Sequence, residues 1–362
     1  MRSVSGEAGG LSLELSEDGV YSELQKIFQR GLVIVVGSGA SCAMGLPGMA
    51  ALAEHLVTSV PLRISAQSTE DESIWRTVSE LLEAGTDLES ALGDVAVSDG
   101  LAQIISNEIA ECVLVAEGNA VREILSDESI PPFGRLFTHL LRTAPFADVV
   151  TTNYDRLLEI QAARANVRVD TMFYGHTIGR FDPQKSRAEL HRAETLAGKA
   201  KTPHLNFEHH VRIYKPHGSL DWYTFDGEHY RSDLPLSGVR RIVAPGGSKY
   251  RSGYETPFDT QRERANAAID NASALLFVGY GFNDDHLQTH IREQVQRIPT
   301  VVISRQITDN AREYISTSDL AIGIEAGDAD QNTSRVTTHS GEMQLDKPIW
   351  QIDTFMKEVL RK

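Results

Sequence analysis

LVIVVGSGAS, residues 32–41, sets five apolar residues in a row against two glycines within three positions. A run that is apolar at every position has no wet face, so it predicts a buried central strand of a parallel sheet. The glycines predict a tight turn after it, GLPGM (45–49) a second turn, and AALAEHLV (50–57) the start of a helix. The same order recurs along the chain. ADVVTTN (147–153) reads as a strand followed by the helix DRLLEIQAARA (155–165), capped by Asp155, and VRIYK (211–215) is a further strand. RERANAAIDNA (262–272) is a helix, ALLFVG (274–279) a strand, GFNDDHLQTHIREQV (281–295) a turn and helix, and TVVIS (300–304) a strand. Strand, helix and strand at this spacing predict parallel β-α-β units, hence an α/β protein with a Rossmann-like parallel sheet and helices on both faces.

The remaining segments place additions on that frame. Residues 1–20 are expected as a loosely held polar arm, and a short helix covers Tyr21 to Arg30. IWRTVSELLEA (74–84), IISNEIAECVLVAEG (104–118) and FGRLFTHLLRT (133–143) carry helical patterning, so 58–143 is expected to be an all-helical insertion. Residues 166–210 are polar and predict an irregular excursion at the rim. The main domain is expected to span 21–309, followed by a C-terminal extension, 310–362, that ends in the helix PIWQIDTFMKEVLRK (348–362). The apolar faces of the insertion and of this last helix are candidates for self-assembly.

Composition narrows the function. The formal charge of −15 repels nucleic acid, and no cluster of Lys and Arg offsets it, so direct DNA or RNA readout is not expected. The longest apolar run is Leu32–Val36, too short for a membrane span, and the acidic first twenty residues contain no signal-peptide core. A cytoplasmic protein is the expectation. Cys42 and Cys112 are the only cysteines, too few for a four-cysteine zinc site, and both are expected as small buried apolar residues.

An acidic protein that binds an anionic ligand must hold it by local backbone N–H groups, which directs attention to the glycine turns. Gly37 and Gly39 allow backbone approach to a pyrophosphate, though Cys42 stands where the dehydrogenase fingerprint needs glycine. The alternative is a tight turn with glycines for geometry alone. Asn153, at a strand end in TTNYD (151–155), either orients a ribose hydroxyl or an attacking water, or bonds the backbone at a helix start. His217 in KPHGSLDW (216 being its proline) is either structural or a general base. GYGFNDD (279–285) follows another strand and suits a second phosphate or ribose contact, or is a plain β-to-α turn. The four segments, all at carboxyl ends of expected strands, point to one crevice.

At these residues the chain resembles the sirtuin-like superfamily. GSGAS (37–41), GLPGM (45–49), TTNYD (151–155), KPHGS (215–219) and GYGFNDD (279–285) occur in the family's order. Two features depart from protein-deacylating sirtuins. There is no four-cysteine module, and the gap from Asn153 to His217 is 64 residues rather than fewer than twenty. GLPGM also lacks the Phe-Arg that deacylases carry after the proline. With the helical insertion, these features resemble the sirtuin-like NAD hydrolases of bacterial antiphage defence. The resemblance implies cleavage of NAD+, as substrate, to nicotinamide and ADP-ribose, depleting the infected cell. It implies a homo-oligomer and a partner such as a HerA-like ATPase or another infection sensor, with no metal. In that reading Asn153 orients the ribose or water, His217 is the base, and Asp155 supports them. Gly37, Ser38, Gly39, Ala40 and Ser41 hold the pyrophosphate, and Pro47, Thr152 and Gly218 lie beside them. Gly279, Tyr280, Gly281 and Asn283 line the adenosine side, with Ser304 and Arg305 as ribose contacts.

Three other readings compete. A binding module that senses NAD or ADP-ribose needs neither Asn153 nor His217. A protein deacylase would release acyl-ADP-ribose. A metal-dependent hydrolase would use Asp284, Asp285, His286 and His290, yet no H-E-x-x-H pattern is present.

Overall fold

The computed structural model describes residues 16–64, 68–194, 204–246, 255–328 and 330–360. It divides into two compact units, one formed by residues up to Val35 with Asn266–Lys362, the other by Val36–Ala265. The arm expected over 1–20 lies outside the described residues up to 15. From Glu17 onward the chain is already helix α1 (Glu17–Lys26), whose first turn is capped by Ser16 through the Gly19 N–H. It leads into β1 (Leu32–Val36), buried at every position as its composition requires.

The second unit opens with a short helix, α2 (Ser38–Cys42), where an open turn was expected. It closes through a glycine: Gly45, at φ +83°, donates to the Cys42 carbonyl at 3.0 Å and Leu46 to the Ser41 carbonyl at 3.1 Å. A left-handed residue at this place satisfies the last carbonyls of a helix, which accounts for the glycine of GLPGM. Helices α3 (Met49–Ser59), α4 (Thr69–Glu83), α5 (Leu88–Gly93), α6 (Asp99–Ser126) and α7 (Pro132–Leu140) follow without an intervening strand among the described residues. Leu101, Ile105, Ile109 and Val113 recur every four residues on α6 and pack with Leu56, Trp75, Val78 and Leu88. The apolar faces of this segment therefore build its own core.

Next come β2 (Phe146–Thr151), α8 (Leu157–Arg164), β3 (Arg168–Asp170), β4 (Phe173–Tyr174), β5 (Ile178–Phe181), α9 (Pro183–Ala188), β6 (His191–Glu194) and β7 (His204–Phe207). Residues 166–210 are thus not irregular where described. Their strands are short, polar and largely antiparallel at sheet margins, where neither periodicity nor burial marks them. Three longer strands complete the set: β8 (His210–Tyr214), β9 (Gly218–Phe225) and β10 (Glu228–Ser232). The unit ends with β11 (Val239–Ile242) and helix α10 (Phe258–Asp270), which crosses into the other unit. Strands β2, β8 and β3 lie side by side in that order and all parallel, while β11, β9, β10, β5 and β4 form a separate antiparallel sheet.

The first unit resumes with β12 (Ala274–Val278), α11 (Asp285–Val295), β13 (Thr300–Ile303), α12 (Asp309–Thr317) and β14 (Ala321–Ala326). It finishes with β15 (Ser334–Thr338), β16 (Gly341–Leu345) and α13 (Ile352–Val359). Strands β12, β13 and β14 are parallel; β15 and β16 add antiparallel. The class is α/β, with a mixed and mostly parallel sheet flanked by helices. The segment after 309 continues that sheet instead of hanging from it. The last helix is not an open apolar face either: Phe355 packs on Phe28 with ring centroids 5.8 Å apart, and Gln25 donates to the Val359 carbonyl at 2.8 Å. No helix among the described residues is long and apolar enough to cross a membrane.

Candidate functional site

The parallel pairing of β2 with β8 sets Val150 opposite Tyr214, so the two strands end level. Asn153 and His217 each stand three residues beyond that last pair, on adjacent loops at the carboxyl edge. Such edges are where open parallel sheets hold ligands.

The two loops are stitched together. The Lys215 ammonium donates to the Asp155 carbonyl, the Ser219 hydroxyl to the Tyr154 carbonyl at 3.2 Å, and the Leu220 N–H to the same carbonyl at 3.0 Å. The Tyr154 hydroxyl donates to the Val243 carbonyl at 2.6 Å, and Val243 N–H donates to the His217 carbonyl at 2.9 Å. A strand end that sequence patterning treats as two separate loops is one bonded assembly.

Within the assembly Asn153 faces the glycine segment. Its amide nitrogen donates to the Gly37 carbonyl at 2.9 Å and to the Ser41 hydroxyl at 2.8 Å, and its backbone N–H to the Thr151 hydroxyl at 3.2 Å. Thr151 in turn donates to the Val36 carbonyl at 2.9 Å. The Ser41 hydroxyl in turn donates to the Asp155 carboxylate at 2.7 Å. Both helix-start and site readings of Asn153 are therefore too narrow, because its side chain shapes the Gly37–Ser41 segment. An amide has donors at one end and an acceptor at the other, so the oxygen is the end suited to a ligand hydroxyl.

Ala40 and Ser41 are buried and Ser38, Gly39 and Cys42 exposed. Gly37 adopts φ −106°, an extended conformation open to any residue, so no backbone constraint of its own demands a glycine there. The exposed Cys42 corrects the expectation of a buried cysteine. Its thiol is pushed up in pKa by desolvation and by Asp155, which makes it a poor nucleophile. Pro47 and Thr152 are half-buried.

Asp155 is buried and caps α8 from one residue further out than expected. Its carboxylate accepts the Leu157 N–H at 3.1 Å, while Arg156 occupies the cap position itself. Burial raises the Asp155 pKa, opposed by Lys215 and by the Ser41 and Leu157 bonds. A carboxyl raised in the folded state contributes stability that is full below the unfolded value of about 4 and is lost as pH climbs through the folded value. Asp155→Asn carries no such loss. Its stability relative to the wild type is therefore expected to improve from pH 4 to pH 7, measured as melting temperatures at both. An advantage that shrinks over that interval would contradict the assignment.

Lys215, Pro216, His217 and Gly218 form a β-turn closed by the Gly218 N–H on the Lys215 carbonyl at 3.0 Å, with proline and glycine at their favoured second and fourth places. His217 is buried. Gly218 sits at φ +84°, and a Cβ there would lie 2.2 Å from the Arg241 carbonyl oxygen. The close approach that Gly218 permits is thus to the protein's own backbone.

Around this turn lies a buried charge network the sequence reading missed. Lys215 pairs with Glu159 at 3.0 Å, Arg231 with Asp221 at 2.7 Å, and Arg156 with Glu117 of α6 at 2.5 Å. Burial would raise the Asp221 pKa, but Arg231 and Lys215 outweigh it and hold it low. A lysine inside PHG-adjacent strand sequence gives no periodic signal; only its placement at a strand's last position hinted at it.

The other unit carries the remaining candidates. Val278 pairs with Ile303, so the loops after β12 and β13 also end level. The Gly279 N–H, at φ +59°, is committed to the Ile303 carbonyl at 2.8 Å and is not spare for a phosphate. Tyr280 is buried against Phe277 and Phe282, so it is a core residue instead of a ligand-lining one. The Gly281 carbonyl accepts Thr308 at 2.8 Å, and the exposed Asn283 accepts Asn310 at 2.8 Å. Ser304 donates to the Gln306 carbonyl at 2.8 Å, and Arg305 is exposed. His290 pairs with Asp270 at 2.7 Å, away from any grouping of metal-type ligands among the described residues. The side chains of Asp285 and His286 lie outside those residues.

Residues 147–320 match the model of the SIR2-like domain. Over that stretch the chain is similar to a SIR2-like domain. Domains of this class bind and use NAD. No curated protein matches. Three solved structures resemble the chain at low identity. A structure titled for the mechanism and regulation of Sir2 enzymes shares 13% identity, with a TM-score of 0.43 over 96% of this chain and 100% of that one. Sir2Tm bound to a propionylated peptide gives 13% and 0.36, over 80% and 87%. An ADP-ribose complex of a serine-to-alanine Sir2 homologue gives 12% and 0.39, over 82% and 88%.

Proposed function

We propose that the protein hydrolyses NAD+ to nicotinamide and ADP-ribose. The observation that supports this most is the bonded assembly at one sheet edge, which joins the Gly37–Ser41 segment, Asn153, Asp155 and the His217 turn. In the reaction the bond from ribose C1′ to the nicotinamide nitrogen breaks, its electron pair returns to the ring, and nicotinamide leaves neutral. Water supplies the new C1′–O bond and loses one proton. The Asn153 amide oxygen orients that water or a ribose hydroxyl, and the His217 imidazole takes the proton. Asp155 and Ser41 hold Asn153 in place. The Gly37–Ser41 segment is the pyrophosphate contact in this reading. The lack of a cysteine zinc module and the long Asn153–His217 gap favour water over an acyl-lysine as acceptor.

The wider role proposed is depletion of NAD in antiphage defence, by a cytoplasmic homo-oligomer that acts with a partner such as a HerA-like ATPase. Asn153→Ala tests the site. It removes both the orienting oxygen and the two bonds that shape Gly37–Ser41, so kcat is expected to fall on the order of 10²-fold and KM to rise. Steady-state NAD cleavage measures both; a variant that keeps its wild-type kcat would remove Asn153 from the chemistry.

A further inference from the structure

We infer that Lys215 is a positioning residue that sets the distance between Asn153 and His217; the inference rests on the NAD-hydrolase reading above. Lys215 is 2% exposed, on the last turn of chain before the histidine loop. An ammonium has three N–H donors, and here each has one acceptor. One is the Asp155 carbonyl, two residues past Asn153. Another is the Ser219 hydroxyl at 3.1 Å, two residues past His217. The third is the Glu159 carboxylate at 3.0 Å, one turn into α8. A single cation is thereby pinned to the end of the first loop, to the strand that leaves the second, and to the helix behind both.

Stability alone explains this lysine poorly. Removing an ammonium from water is costly, and an apolar side chain of similar volume often serves a buried site as well or better. What an apolar side chain cannot do is hold the Asp155 carbonyl and the Ser219 hydroxyl at hydrogen-bond distance from one atom. The lysine backbone is itself fixed: its N–H donates to Gln261 at 3.0 Å, and Gln261 donates onward to the Thr171 carbonyl at 3.1 Å. The ammonium therefore sits on a rigid base, and both catalytic loops take their register from it. Lys215 touches neither water nor ribose in this account; it acts through the residues two positions to either side.

The test is steady-state NAD cleavage by the full chain, with a melting curve for every protein. Lys215→Met keeps the volume and removes the three donors. Its kcat is expected to fall about 10²-fold, the usual cost of a misplacement near 1 Å, with KM within about two-fold of the wild type. A purely structural lysine would lower the melting temperature and leave kcat unchanged in the folded fraction. Ser219→Ala removes one acceptor of the ammonium, together with the hydroxyl's bond to the Tyr154 carbonyl, and is expected to lower kcat on the order of 10-fold. If Lys215→Met does not fold, Ser219→Ala decides. Wild-type kcat in whichever variant folds overturns the positioning role, as does a rise confined to KM. Absence of cleavage by the wild type overturns the hydrolase reading instead, and is seen before any variant is compared.

Discussion

His217→Ala is expected to cut NAD cleavage by about 10²–10⁴-fold, the range general acid–base help supplies, while melting close to the wild type. The two halves of that expectation have separate grounds. The backbone of the histidine makes structural bonds of its own: its carbonyl accepts the Val243 N–H, and the turn is closed by Gly218 on Lys215. Alanine keeps both. His217 stands three residues past the last β8 pair, as Asn153 does past β2, at the carboxyl edge where this reading has a water or ribose proton removed. Losing it removes the base and leaves the frame. Cleavage at the wild-type rate by a folded His217→Ala protein would take the chemistry away from this residue.

The neighbouring residue should behave in the opposite way. Gly218→Ala is expected to destabilise the protein by about 3 kcal/mol or more, among the larger single-residue effects. A left-handed conformation costs an L-residue roughly 1–2 kcal/mol, and Gly218 is at φ +84°. The larger part is steric. The new Cβ would lie 2.2 Å from the Arg241 carbonyl oxygen and 2.8 Å from a Phe258 ring carbon. The first is backbone in a strand that pairs with β9, so it yields only if that pairing shifts. Thermal unfolding measures the effect; a melting temperature within a degree of the wild type would contradict the geometry. Two adjacent residues thus separate function from fold.

How much of this was legible in the sequence depends on how each element earns its stability. Strands buried on both faces announce themselves, and LVIVV, ALLFV and TVVI do so by composition alone. So do the helices of the insertion, through the four-residue recurrence of Leu101, Ile105, Ile109 and Val113. The strands between 166 and 210 do not, because they are two to four residues long and are mixed in burial where β4 and β5 run. Asn153 and His217 stand out as candidates because strand ends in parallel sheets are where polar residues meet ligands. The roles of Lys215, Glu159 and Glu117 do not, because each becomes visible only when distant segments are folded together. Glu117 lies mid-helix, 39 residues from the arginine it holds. Glycines were the most ambiguous letters: Gly45 and Gly218 serve the backbone, Gly279 spends its N–H on β13, and Gly37 takes a conformation that needs no glycine.

The central claim is that water attacks NAD+ at the edge where Asn153 and His217 stand level. The most direct measurement is product chromatography with mass analysis, after incubating the purified chain with NAD+ in heavy-oxygen water. The account predicts nicotinamide and ADP-ribose in equal amounts, the ADP-ribose carrying one heavy oxygen, and about 10²–10⁴-fold slower release of both from His217→Ala. NAD+ that is bound and returned intact would contradict it, as would an ADP-ribose product without the label.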